Sequence, residues 1–238
     1  MKKLIKKYRL PIILVIISCL IYSIDFMIFK DSHAILRSII EQLAFIPIYV
    51  LLVMLVIEGL LDRKEKEERA EKLNVVIGVF FDELGIGLLR SFSKADENFN
   101  NIRGNFMFTE ETFLRNLPQT FKTMQNYTPL LKGQESDISS VKEYISKHKE
   151  FLISLMENPN LVEHELFTNA ILSVFHIYEE LSLQENIEVI CKEDRKHIAQ
   201  DCERAYMLLL EQWLYYMKHL EKNYPYLFSV EIRMNPFK

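Results

Sequence analysis

The sequence predicts an all-α protein: an N-terminal transmembrane helical hairpin followed by a cytoplasmic helical bundle. Three observations point there. Two apolar runs of about twenty residues each occupy positions 10–29 and 43–61. A densely charged stretch, 62–72, follows them. Residues 73–238 then carry apolar side chains at helical spacing, with few breaks, since the whole chain holds only 6 Gly and 7 Pro.

The first run reads LPIILVIISCLIYSIDFMIF. Twenty helical residues span about 30 Å, the thickness of a hydrocarbon core. Its one charge, Asp25, lies near the far end, where ionisation costs much less than at the bilayer centre. The second run, LAFIPIYVLLVMLVIEGLL, has Pro47 in its first turns, where a missing N–H matters least, and Glu58 at its exit. Between them SHAILRSIIEQL reads as a connecting loop, weakly amphipathic, on the outer surface. Lys2, Lys3, Lys6, Lys7 and Arg9 precede the first run; Arg63, Lys64, Lys66, Arg69 and Lys72 follow the second. The loop holds only Lys30 and Arg37. The positive-inside rule then puts both termini in the cytoplasm, in a multi-pass protein of the cytoplasmic membrane. A cleaved lipoprotein signal ending at Cys19 is disfavoured because the apolar run continues well beyond it. An oligomeric pore is a further reading, though residues 31–42 hold no TVGYG-type filter.

Residues 62–72, DRKEKEERAEK, continue the second span as a solvated helical connector with acid–base pairs at i,i+4, such as Glu65–Arg69. Residues 73–92 are apolar but carry Asp82 and Glu83 near their middle, which argues for a packed helix rather than a third span. Gly78, Gly85 and Gly87 in that helix imply close approach by a neighbour. Thr109 is read as the cap of a helix over 110–117 that stops before Pro118. Ser140 with Glu143 makes a capping box for a helix reaching about Glu157, where Asn158-Pro159 ends it. Longer helices are expected over 161–183 and 194–221. After Pro225 the tail YLFSVEIRMNPF partly alternates and reads as short and extended, docked on the helices or a lone strand.

KLNVVIGVFFDELGIGLLR after the second span, and the ending HLEKNYPYLFSVEIRMNPF, resemble a family of uncharacterised prokaryotic membrane proteins. In that family two spans and a charged helix precede a cytoplasmic helical domain. The likeness covers nearly the whole chain, and Asn235-Pro236-Phe237 belongs to its most distinctive part. Asp82 stands where the family pattern implies a small polar residue, so no role is carried over there. The resemblance implies an architecture and no activity.

The net charge of −4 leaves no basic footprint for nucleic acid. Three cysteines, Cys19, Cys191 and Cys202, make no disulfide framework, and a cytoplasmic domain keeps the last two as free thiols. P-loop, dinucleotide, kinase and HExxH motifs are absent. The expected role is therefore a membrane-tethered interaction or signalling module without catalysis, partnered by lipid and by a second copy or another protein. The alternative is a divalent-metal activity. His176 and Glu179 share one helix face, and Asp194, His197 and Asp201 share another. Carboxylates and imidazoles on facing helices are how helical bundles ligate metal. Glu163, His164 and Glu180 are spare ligands nearby. Cys191, His197 and Cys202 fit no standard zinc spacing. The aromatic group Trp213, Tyr215, Tyr216, Tyr224, Tyr226, Phe228 and Phe237 is read chiefly as core.

Overall fold

A computed structural model describes residues 32–159, 161, 164–184 and 187–238, together with positions 16, 17, 20, 21, 23, 24 and 27. Two compact units divide the chain, Met1–Lys66 and Glu67–Lys238. The described residues are helical, and no strand is found among them.

In the first unit most of the 10–29 run lies outside the described residues. Its seven described positions are helical and exposed. Helix α1, Ser32–Phe80, begins earlier than the 43–61 run and absorbs the expected connecting loop. That stretch has no Gly or Pro to break a helix before Pro47, and Arg37 bonds Glu41 one turn on at 3.0 Å. Pro47 consequently sits inside the helix, where it supplies no N–H to the carbonyl one turn back. From Leu43 to Leu61 every side chain is exposed, and among the described residues one helical run is long and apolar enough to cross a membrane.

In the second unit α1 ends in a buried stripe, Leu73, Ile77 and Phe80. A π-helical turn, Phe81–Gly85, joins it to α2, Ile86–Ala95. Then come α3, Phe113–Gln125; α4, Glu135–Lys147; α5, Lys149–Met156; α6, Glu165–Leu183; α7, Lys192–Asn223; and α8, Pro225–Met234. Helices α6 and α7 form the most extensive pairing. Helix α7 also packs against α2, α3 and α8, while α4 bridges α2 and α6.

Residues 73–92 behave as a packed helix, as the two acids imply, but the π-turn places Asp82 and Glu83 on its exposed side. The glycines do permit close approach. A Cβ at Gly78 would lie 3.0 Å from the Tyr216 hydroxyl of α7, and one at Gly87 would overlap the hydroxyl end of the Tyr144 side chain of α4.

Several boundaries differ from the sequence expectations. The helix read over 110–117 is α3, starting at Phe113 with Pro118 inside it. Thr112 rather than Thr109 provides the side-chain acceptor, taking the Thr109 N–H at 3.0 Å. Burial of Phe113, Leu117, Thr120 and Met124 along one face outweighs the bond that Pro118 removes. Ser140 is not a cap. It lies mid-helix, donating to the Ser136 carbonyl at 2.7 Å, and Glu143 pairs instead with Lys147. Helix α4 starts earlier because Gly133, at φ 62°, turns the chain into it, with Glu135 and Asp137 in the first turn to suit the helix dipole. The expected single helix to Glu157 is divided at His148.

The C-terminal tail is helical, not extended. Pro225 supplies a pre-set first-turn φ, and Phe228 and Ile232, one turn apart, bury together. The Asn235-Pro236-Phe237 motif then locks the end of the chain. Asn235 Nδ2 donates to the Phe106 carbonyl at 2.8 Å, and Asn235 Oδ1 accepts the Phe237 N–H at 2.9 Å. The Phe237 carbonyl accepts from Arg103 Nε at 2.9 Å. The Phe237 ring fills the centre of an aromatic core with Phe99, Phe106 and Trp213, whose centroids lie 5.0–5.3 Å away. Tyr216 and Phe228 are buried as expected of core, whereas Tyr215, Tyr224 and Tyr226 are exposed.

Gly87→Ala should destabilise the protein by about 1–3 kcal/mol through overpacking. In a Tyr144→Ala background the same change should cost a few tenths of a kcal/mol at most, because the obstructing ring is gone. Paired thermal melts of the four proteins check this.

Candidate metal centre between helices α6 and α7

The short connection between α6 and α7 makes them an antiparallel hairpin. Each of the two helices is capped at its N-terminus by a side chain. His164 Nδ1 accepts the Phe167 N–H at the start of α6, and Cys191 Sγ accepts the Asp194 N–H at the start of α7. Apolar residues set the rotation of both helices. Ile171, Val174, Ile177 and Leu181 of α6 are buried, as are Ile198, Cys202, Ala205 and Leu209 of α7.

That rotation brings four polar side chains together at the edge of the seam. His176 and Glu180 stand one turn apart on α6; His197 and Asp201 stand one turn apart on α7. One ligand atom from each lies within 4.8 Å of every other. His176 Nε2 is 3.4 Å and His197 Nε2 is 3.6 Å from the same oxygen, Asp201 Oδ2. Arg204 Nη2 approaches the other oxygen, Oδ1, at 3.2 Å. The Asp201 side chain is only 3% exposed, against 54% and 61% for the two imidazoles. Both Asp201 oxygens and Glu180 Oε2 are buried without a hydrogen-bond partner. Burial, together with the Asp201 carboxylate, pushes the Glu180 carboxyl above its ordinary range, against the opposing pull of His197 and His176.

The separations fit ligation better than hydrogen bonding. Metal bonds of 2.0–2.1 Å arranged tetrahedrally put ligand atoms about 3.4 Å apart, while N–H···O bonds centre near 2.9 Å. Beside the cluster lies a groove of about 700 Å³, lined by the polar His176, Asp201 and Arg204 and the apolar Leu172, Met207 and Leu208.

Of the sequence candidates, His176, His197 and Asp201 converge. Glu179 and Asp194 are exposed and lie outside the cluster. Glu180, first read only as a spare ligand, holds the fourth place. It was discoverable as the i+4 partner of His176, matching the i+4 step from His197 to Asp201. Glu163 lies outside the described residues, and His164 is occupied as a cap. Arg204 carried no sequence signal. Neither cysteine takes part: Cys191 is exposed at its cap, and burial pushes the Cys202 thiol up to about 12.

A second acidic pair lies across the unit. Glu231 of α8 and Asp82 of the π-turn lie close enough to influence each other's ionisation. Desolvation, then the Asp82 charge, raises Glu231 to about 7, and desolvation raises Asp82 as well.

The fold and this cluster define a small all-α domain with a candidate divalent-metal centre between two antiparallel helices. The chain belongs to the family described as uncharacterized protein MJ1433: residues 69–233 match its C-terminal helical domain and residues 2–61 its N-terminal helical domain. It is 42% identical over 234 residues to uncharacterized protein MJ1433 of Methanocaldococcus jannaschii, covering 98% of this chain and 94% of that protein. No solved structure matches it.

Glu231 binds its proton more tightly when folded than when unfolded, so its contribution favours folding at acid pH and is lost as pH rises from about 4.5 towards 7. Glu231→Gln should flatten that decline and raise stability at pH 8 by about 1–2 kcal/mol, allowing for solvent screening. Denaturant titrations from pH 4.5 to 8 read it.

Proposed function

We propose that this protein is a membrane-anchored module whose helical domain holds one divalent transition-metal ion between α6 and α7. The observation that carries the metal reading is Asp201: a buried carboxylate with no hydrogen bond to either oxygen, met at Oδ1 by the exposed Arg204 guanidinium and at Oδ2 by two imidazole nitrogens, with a second carboxylate alongside. A buried charge whose one permanent counter-charge is a solvent-exposed guanidinium is costly, and a cation shared among four ligands offsets that cost. Two carboxylates balance a 2+ ion. Imidazole nitrogens favour Zn²⁺, Fe²⁺, Mn²⁺ or Ni²⁺ over Ca²⁺ and Mg²⁺, which take oxygen ligands. The ion staples the hairpin on which the domain is built, so occupancy translates into domain stability. That suits an interaction or signalling role, read by a second copy or another protein, rather than catalysis.

Anchoring is supported by the exposed apolar face of residues 43–61 and by the helix long enough to span a bilayer. The distribution of Lys and Arg around the two runs supports a cytoplasmic helical domain.

Full-length protein purified in detergent without chelator should carry about one transition-metal ion per chain by elemental analysis. His197→Ala and Asp201→Asn should each weaken binding at least about tenfold. Added metal should raise the melting temperature of wild type but not of Asp201→Asn, which should be at least as stable as wild type when both are metal-free. Absence of metal, with no thermal shift from Zn²⁺, Mn²⁺, Fe²⁺ or Ni²⁺, would falsify the metal reading.

Topology is tested separately through Cys191, an exposed thiol. In a Cys19→Ser background, a membrane-impermeant maleimide should label Cys191 only after the cell membrane is broken. Labelling in intact cells would place the domain outside.

A further inference from the structure

We propose that a second site, a cleft between residues 130–133 and the first turns of α7, binds a phosphate-bearing anion. It shares no lining residue with the metal cluster or its groove and does not rest on the metal reading.

The cleft has a volume of about 560 Å³. Lys132, Lys192, Arg195 and Lys196 line it, with Glu203 as the one acidic residue of the lining. Four cations gather there in a chain whose net charge is −4. Three of them come from α7. Lys192 and Lys196 are one turn apart on an exposed face, and among the described residues neither has a hydrogen-bond or ion-pair partner. Arg195 lies beside them in a set orientation. Its guanidinium donates to the Ile190 carbonyl at 3.1 Å and the Ile187 carbonyl at 3.4 Å, and stands 3.6 Å from Glu135. Lys132 on the opposite wall pairs with Glu97.

The opposite wall is fixed in place. The Glu97 N–H donates to the Leu130 carbonyl at 3.2 Å, and the Leu131 N–H donates to Glu203 Oε1 at 2.9 Å. The one acid in the cleft is thus engaged by backbone. Gly133 lets the segment close on α7: at φ 62°, a Cβ there would lie 2.9 Å from the Arg195 carbonyl oxygen. The site is therefore formed before any ligand arrives, which lowers the entropic cost of binding.

Two unpartnered ammonium groups one turn apart, with the Arg195 guanidinium already held by carbonyls and Glu135 beside them, call for a compact anion with several acceptor oxygens. Phosphate supplies two negative charges near neutral pH, one for each ammonium group. The cleft is larger than phosphate alone, so the natural ligand is a phosphate ester, either a soluble metabolite or a lipid headgroup.

Chelator-treated full-length protein in phosphatidylcholine nanodiscs is titrated with inorganic phosphate and pyrophosphate. Binding is read by calorimetry and by protection of Lys192 and Lys196 from acetylation, quantified by mass spectrometry. A parallel sample uses nanodiscs containing phosphatidic acid. Saturable binding is expected, with selective protection of both lysines. Lys192→Gln with Lys196→Gln should weaken binding at least about tenfold, as loss of charge-assisted bonds predicts. The control Lys218→Gln with Lys222→Gln, at the far end of α7, should not. Protection by free phosphate or pyrophosphate alone assigns a soluble ligand; protection in the phosphatidic acid discs assigns a headgroup. Protection by neither, equal binding by the cleft variant, or equal loss in the control variant overturns the proposal.

Discussion

Burial of helix α7 is the constraint on which the second unit depends. Along its middle, Tyr206, Leu209, Leu210, Trp213, Leu214 and Met217 are essentially inaccessible to solvent. A helix covered on nearly all sides must be surrounded by other elements, and α2, α3, α6 and α8 each pack on it. The short helices gain most of their stability from that contact, because helices of about ten residues are marginal alone. The chain end is drawn in as well: Phe237 packs on Trp213 while Asn235 and Arg103 tie its backbone down.

The candidate metal centre follows from the same apolar packing. Once Ile177 and Leu181 of α6 and Ile198 and Cys202 of α7 are buried, the rotation of both helices is set. The side chains one step round each helix then face one another whatever their chemistry. In this chain they are His176, Glu180, His197 and Asp201. The seam desolvates Asp201 almost completely while leaving the imidazoles open to solvent. That asymmetry sets a buried charge beside two solvent-accessible ligands with which it can share a cation. The cleft at the start of α7 is built differently. Its cations sit on an exposed helix face, and its shape comes from a backbone segment pinned by Glu203 and by the absence of a side chain at Gly133.

The limits of sequence reading fall where local signals compete with burial. Ser140 and Glu143 match a capping box, yet Gly133 turns the chain earlier and both residues end up mid-helix. Pro118 looks like a stop, but the apolar face from Phe113 to Met124 carries the helix past it. In the tail, partial alternation suggested an extended strand. The burial of Phe228 and Ile232, four apart, selects a helix instead. Glu179 and Glu180 are a parallel case: both lie within a turn of His176, and only the position of the α7 seam distinguishes them.

What the sequence determined by itself was the coarse organisation. It separates an apolar N-terminal region from a helical remainder, it limits Gly and Pro so that helices dominate, and it places His176, His197 and Asp201 on two helices at spacings that allow convergence. These are properties of period and composition, legible one segment at a time. Tertiary structure alone decided which carboxylate completes the cluster, that Asp201 is stripped of water, and that Lys132 faces Lys192 and Lys196 across a cleft. Each of those depends on the relative rotation of segments distant in sequence, which is set by how their apolar faces interlock and not by any local preference.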